Sequence, residues 1–266
     1  MSGGLSAFDL VIFDWAGTMV DFGCRAPVAA MAEVFARRDV TLGEAVIRAD
    51  MGKGKGDHVR AILARPEVIA AWTAAQGSAP GEADAETMME ELGPLMRDAA
   101  AEAAELIPGA ADAVAALRAA GLKVASSTGY TREMMAPVLA RAAAQGYQPD
   151  HLVCAGETPA GRPSPLMIYR ACADLGVWPF ARVVKVDDAE AGIQEGRAAG
   201  CFTVGVVASG NAVGLSLAAF EALQPEHRAT LVAEAAARLA GAGADLVIDT
   251  VADLPAALSE SRQGHA

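Results

Sequence analysis

Six side chains stand out in this chain by their type and by where its apolar runs deliver them. Asp14 closes the run FDLVIF and opens the turn DWAGT; Ser127 and Thr128 close LKVASST; Arg162 lies in the loop GRPSP; Asp187 and Asp188 close RVVKV. A carboxylate nucleophile, hydroxyl and amide donors, a cation and further carboxylates are the parts of a site for an anionic, phosphoryl-like group. Carboxylates brought to one point repel each other, and a hard cation that prefers oxygen relieves the repulsion, so Mg²⁺ is the expected cofactor. The same ion would offset the charge between Asp14 and an incoming phosphoryl group. Blander roles stand beside these. Asp187 or Asp188 could cap the helix AEAGIQEG, Thr128 could cap TREMMAPVLARA, and Arg162 could pair with a surface acid.

For these residues to meet, the apolar runs must be parallel strands of one sheet, because such sheets bind ligands beyond the carboxyl ends of their strands. FDLVIFDWAGT reads as a buried strand that stops at Asp14. From about residue 109 helix and strand alternate: GAADAVAALRAAG is an amphipathic helix ended by Gly121, and LKVASST is a strand. TREMMAPVLARAAAQG, HLVCA, PLMIYRACADLG, RVVKVDD, AEAGIQEGRAAG, FTVGVV, DLVIDT and ADLPAALSE continue the alternation. The pattern predicts an α/β protein with a doubly wound parallel-sheet, Rossmann-like core. Residues 217–242 add an Ala-rich, charged helical stretch expected only to pack.

Between the first strand and residue 109 the alternation fails. Roughly 80 residues from Gly23 onward are rich in Ala and Met, helical in period and without a convincing strand, with QGSAPGEAD as a loop between helices. An all-helical insertion is expected, giving a core domain at 1–22 and 106–266 and a helical cap, or lid, at 23–105. Placed directly after the strand that carries Asp14, it is positioned to close over the site.

Composition narrows the partners. Hydrophobic residues make up 53% of the 266, but charges and glycines interrupt them before any run reaches the ~20 residues of a membrane span. A soluble, cytoplasmic protein is expected, since no basic-then-apolar leader opens the sequence. Cys24, Cys154, Cys172 and Cys201 show neither CxxC spacing nor a histidine at metal-ligand distance, which argues for reduced thiols. A net charge of −12 without clustered Lys and Arg argues against nucleic acid. A small-molecule anion is the expected ligand.

FDWAGTMVD, SSTGYTREMM, GRPSP and VKVDD, in that order, resemble the haloacid dehalogenase superfamily, and more narrowly the phosphonoacetaldehyde hydrolase family. In that family DWAGT replaces the Asp-x-Asp of ordinary superfamily phosphatases, and Ala16 stands here where the second acid would be. The change has chemical meaning. A phosphate ester needs an acid for its leaving alkoxide, whereas cleaving carbon from phosphorus expels a carbanion that needs an electron sink. A lysine supplies that sink by condensing with an aldehyde. MGKGKGDHVRAI resembles the family's lid motif, which implies Lys55, rather than Lys53, as the Schiff-base residue and His58 as a proton shuttle.

The resemblance also implies that Thr128 and the Gly129 amide hold phosphoryl oxygens, that Arg162 binds the phosphate, and that Tyr130, Met51 and Cys24 border the substrate. It implies Asp14, the Ala16 carbonyl and Asp188 as Mg²⁺ ligands, with Asp187 bound directly or through water. Many superfamily members carry another acid four residues after Asp188, where this chain has Gly192. A homodimer joined through the cap helices is implied as well. Outside this pattern Lys55 would be a solvated loop lysine, His58 a structural histidine, and Met51 and Cys24 ordinary core residues. Competing functions are a sugar-phosphate phosphatase or phosphomutase, which Ala16 argues against, a catalytically silent phosphate-binding module, and a dehalogenase.

Overall fold

The computed structural model describes residues 5–261. Its core is a six-stranded, wholly parallel sheet in the order β3-β2-β1-β4-β5-β6. The strands are β1 (Leu10–Phe13), β2 (Lys123–Thr128), β3 (His151–Cys154), β4 (Val183–Asp187), β5 (Phe202–Val206) and β6 (Leu246–Ile248). Both sheet faces are covered, so β1 is apolar at every position. Its alternate residues serve opposite sides. Val11 and Phe13 belong with Leu117, Val138, Leu254 and Leu258, while Leu10 and Ile12 belong with Ile168, Ala171 and Ala199.

Five helices intervene between β1 and the next core helix: α1 (Ala26–Ala36), α2 (Glu44–Arg48), α3 (Lys55–Leu63), α4 (Pro66–Gln76) and α5 (Glu82–Glu102). The core helices that follow are α6 (Ala110–Ala119), α7 (Arg132–Ala144), α8 (Leu166–Leu175), α9 (Glu190–Ala199), α10 (Leu217–Glu221), α11 (Pro225–Ala242) and α12 (Leu254–Ser261). The alternation expected from residue 109 onward is present element by element. Pro66 separates α3 from α4 by occupying the first position of the latter, where its missing N–H costs nothing. The expected loop QGSAPGEAD is shorter than the sequence suggested. Asp84 accepts a hydrogen bond from the Gly81 amide at 2.8 Å, and this reach-back draws Glu82, Ala83 and Asp84 into the first turn of α5.

Apolar packing on the Val11 and Phe13 face continues through Trp15 and Met19 to Met31, Phe35, Trp72, Met88 and Met96 of the intervening helices. α5 also packs on α7. Among the described residues no helix is long and apolar enough to cross a membrane. All four cysteines are free and buried.

On the opposite side of the molecule α9 lies unusually close to the sheet. A Cβ on Gly196 would sit 2.6 Å from Thr203 Cγ2 and 2.8 Å from Lys185 Cβ, so only glycine permits this approach. Gly196→Ala is expected to destabilise the protein by about 1–3 kcal/mol through overpacking, measured as a fall in the urea midpoint without a change in slope.

Candidate active site

In-register parallel pairing carries the carboxyl ends of β1, β2 and β4 to one edge, and Asp14, Thr128 and the Asp187–Asp188 pair arrive there together. Of the residues singled out from the sequence, Asp14, Ala16, Cys24, Met51, Lys55, Thr128, Gly129, Tyr130, Arg162 and Asp188 line one small cleft. His58 and Asp187 are not in its wall and are fully buried.

After β1 the chain turns tightly, with Met19 and Val20 donating to the Trp15 carbonyl at 2.7 and 3.0 Å. Gly17 sits in this turn at φ +83°, and a Cβ there would overlap the Asp188 carboxylate. Asp188 is held by the Asn211 amide at 2.7 Å and by the Thr18 hydroxyl at 3.4 Å. Carboxylate oxygens of Asp14, Asp187 and Asp188 lie within 4.8 Å of one another. Burial, reinforced by mutual repulsion, raises the pKa of Asp14 and pushes that of Asp188 well up. Burial acts on Asp187 in the same direction, but Arg162 and Lys185 outweigh it and hold this carboxyl low.

Arg162 is buried and points one nitrogen at Asp14 Oδ1, 2.7 Å away. Surface pairing, the bland alternative for this arginine, is thereby replaced by pairing with buried acids: Asp187 at 3.3 Å and Glu195 at 2.9 Å. Lys185 Nζ lies 2.9 Å from Asp187 and 3.4 Å from Glu195. With every acid ionised, Asp14, Asp187, Asp188 and Glu195 against Arg162 and Lys185 would leave two negative charges in excess, and this is the repulsion that joins burial in raising the pKa values of Asp14 and Asp188. Asp187 Oδ2 also lacks an aligned hydrogen bond. Hard oxygen donors with a twofold charge excess fit a divalent cation.

The capping alternatives do not hold. Thr131, not Thr128, caps α7, accepting from the Met134 amide at 3.4 Å, while Thr128 Oγ1 accepts from the Tyr130 amide at 3.2 Å. Ala189 occupies the N-cap of α9 without a side-chain bond, although Asp187 Oδ1 accepts from its amide at 3.1 Å.

The intervening helices supply the other wall. Lys55 opens α3 and is 4% exposed; its Nζ lies 5.2 Å over the Tyr130 ring and 4.0 Å from Met51 Sδ. Among the described residues no carboxylate comes within ion-pair distance of it. Desolvation, joined by the neighbouring Arg162, lowers its pKa, more than the nearby Asp14 and Asp188 raise it. Burial likewise pushes the Cys24 thiol and the Tyr130 hydroxyl well up, so both stay protonated. Lys53 is different: partly exposed, it pairs with Asp50 at 2.6 Å and does not line the cleft. His58 Nε2 is 2.7 Å from the Ile47 carbonyl and must donate to it, which leaves Nδ1 as a buried acceptor without a hydrogen-bond partner among the described residues.

Lys185, Glu195 and Asn211 were not singled out from the sequence. Lys185 carried a signal, as a lone charge inside an apolar strand two residues before Asp187 and so on the same face. Asn211 carried only its place in SGNAVGLS, a segment the resemblance covers without giving this residue a role. It bonds Arg48 of α2 through both side-chain atoms, at 3.2 Å to the guanidinium and 3.0 Å to the carbonyl, and thereby links the intervening helices to Asp188.

The sequence model of the haloacid dehalogenase-like hydrolases matches residues 8–200. The chain is 46% identical over 244 residues to a phosphonoacetaldehyde hydrolase of Paraburkholderia phytofirmans, covering 92% of this chain and 91% of that protein. It is 39% identical over 246 residues to one of Bacillus cereus, covering 92% and 93%. A crystal structure of a phosphonoacetaldehyde hydrolase-like protein from Oleispira antarctica superposes with a TM-score of 0.95 at 38% identity, covering 97% of this chain and 93% of that one. A hydrolase from Pseudomonas syringae, 19% identical with a TM-score of 0.70 over 95% and 98% of the two chains, shares the fold.

Burial, joined by the neighbouring Lys55, depresses the His58 pKa to about 3, so the ring is expected to show no titration by NMR between pH 8 and pH 5. An unfolded histidine protonates near pH 6.5, so this group favours the folded state above that pH. Its contribution then falls toward pH 3 by at most about 1.4 kcal/mol per pH unit. A ring that titrates near 6.5 would refute the buried neutral form.

Proposed function

Since the chain belongs to the haloacid dehalogenase-like hydrolases and, within them, to the phosphonoacetaldehyde hydrolase family, we propose that it hydrolyses the carbon–phosphorus bond of phosphonoacetaldehyde to acetaldehyde and phosphate. The observation that carries this reading is a buried lysine amine, Lys55, that has no ion-pair partner among the described residues and lies in the same cleft as the Asp14 carboxylate. An ester phosphatase has no use for such an amine. Burying one unpaired costs several kcal/mol and is explained by nucleophilic work in the neutral form.

On this reading neutral Lys55 adds to the aldehyde carbon and water leaves, forming an iminium. His58 Nδ1, the ring's unoccupied acceptor, relays the proton from the adduct's nitrogen to its oxygen and ends neutral, and one further proton taken up from solvent lets that oxygen leave as the water. Asp14 then attacks phosphorus; the carbon–phosphorus electrons move into the iminium, giving an enamine on Lys55 and an acyl phosphate on Asp14. Water cleaves the aspartyl phosphate, the enamine takes up a proton, and hydrolysis of the imine releases acetaldehyde. Thr128, the Gly129 amide and Arg162 hold the phosphoryl oxygens. Mg²⁺, held by Asp14, Asp188 and the Ala16 carbonyl with Asp187 directly or through water, would reduce the repulsion between Asp14 and the phosphonate.

Residues 23–105 are on the same reading the cap that keeps this chemistry dry. Support comes from the Met51–Gly54 loop: a Cβ on Gly129 would lie 2.6 Å from the Lys53 carbonyl, and one on Gly52 would lie 3.0 Å from Ala189 Cβ. The homodimer implied by the resemblance would use the outer faces of these helices. A monomer in sedimentation velocity at micromolar concentration would refute it.

Acetaldehyde release, coupled to alcohol dehydrogenase, is expected to require Mg²⁺, to vanish in Lys55→Arg and Asp14→Asn, and to fall about 10²–10⁴-fold in His58→Asn. Borohydride added with substrate is expected to modify Lys55 and to leave Lys53 free. Ready hydrolysis of p-nitrophenyl phosphate without acetaldehyde release, unaffected by Lys55→Arg, would move the protein to the phosphatase reading.

A further inference from the structure

We propose that Glu195 is a positioning residue that, together with Lys185, aims Arg162 at the phosphoryl group. The inference rests on the reading of Arg162 as a phosphate ligand. Arg162 has three donor nitrogens, and two are committed to the core. Nε donates to Glu195 Oε2 at 2.9 Å, and Nη2 donates to the Ser127 carbonyl and hydroxyl at 2.6 and 3.0 Å. Only Nη1 faces the reacting edge, donating to Asp14 Oδ1 at 2.7 Å, with the Gly52 carbonyl at 3.5 Å.

Glu195 comes from α9 and is fully buried, away from the cleft wall. It cannot touch a ligand there. The Ser127 hydroxyl donates to Glu195 Oε2 at 3.2 Å while accepting from Lys185 Nζ at 2.9 Å and from Arg162. Glu195 Oε2 thus meets two cations and a hydroxyl at once. Burying these charges costs several kcal/mol, and an apolar side chain would fill the space without that cost. What the carboxylate adds is direction: it fixes the guanidinium plane from behind, and a planar fork held at two nitrogens presents the third at a set angle. Glycine at 196 lets α9 approach Lys185 closely enough for this contact.

Glu195→Gln keeps the shape and removes the charge. It is expected to weaken orthophosphate binding, measured by calorimetry at saturating Mg²⁺, about 10- to 100-fold, and to raise KM for phosphonoacetaldehyde similarly while the Mg²⁺ activation curve stays put. Because Glu195 acts through Arg162, Arg162→Ala and the double variant Arg162→Ala/Glu195→Gln are expected to bind orthophosphate equally weakly. A purely structural role would lower the melting temperature and the active fraction and leave the phosphate affinity of the folded protein unchanged; that result, or additive losses in the double variant, overturns the proposal. Should Glu195→Gln not fold, Glu195→Asp, which retains the charge but withdraws it by one methylene, is expected to show the same loss of phosphate affinity, and wild-type affinity in it overturns the proposal too. If Arg162→Ala alone leaves orthophosphate binding intact, the reading of Arg162 falls first, independently of Glu195.

Discussion

Desolvating charge is the constraint to which the rest of this structure answers. Asp14, Asp187, Asp188 and Glu195 are buried or nearly so at one edge of the sheet, with Arg162 and Lys185 as their cations. Isolated, each would cost several kcal/mol to remove from water, so every one is tied to a partner whose own position is dictated by the fold. Arg162 spans Asp14 and Glu195, Lys185 spans Asp187 and Glu195, and Asp188 leans on the Asn211 amide. With all its acids ionised the cluster would carry an excess of negative charge, which suits it to a divalent cation.

Backbone geometry yields to this cluster at particular glycines. Gly17 lies against the Asp188 carboxylate, and a side chain on Gly192 would occupy the space of the Asp187 carboxylate. The second contact explains the departure at the position where many superfamily members carry an acid. In this chain Asp187 fills, from the end of β4, the volume that a side chain on α9 would otherwise enter, and Lys185 and Arg162 keep that carboxyl ionised.

The other wall of the cleft follows a different rule. Lys55 lies among Met51, Cys24 and Tyr130, where burial favours the neutral amine, while Lys53, two residues earlier, is paired with Asp50 and outside the cleft wall. Two lysines of one short motif thus meet opposite electrostatic surroundings because the first turn of α3 begins between them. Arg48 and Asn211 tie that side of the molecule to the loop that holds Asp188, so the wall bearing the amine and the edge bearing the carboxylates share one hydrogen-bonded frame.

Much of this was legible in the residues alone. Strand ends announce themselves when an apolar run stops at Asp14, Thr128 or Asp187, and the alternation of such runs with amphipathic helices determines a parallel sheet and the edge at which those residues collect. DWAGT, MGKGKGDH and GRPSP determine which groups are present for chemistry. Only the tertiary structure decided how those groups are aimed and charged. The pairing of Arg162 with Glu195, the seat of Asp187 over Gly192, the tautomer of His58 set by the Ile47 carbonyl, and the capping of α7 by Thr131 instead of Thr128 each depend on distances between segments far apart in the chain or on the exact turn at which a helix begins. Type and spacing are local properties, but burial and the direction of a hydrogen bond arise only when the chain has packed against itself.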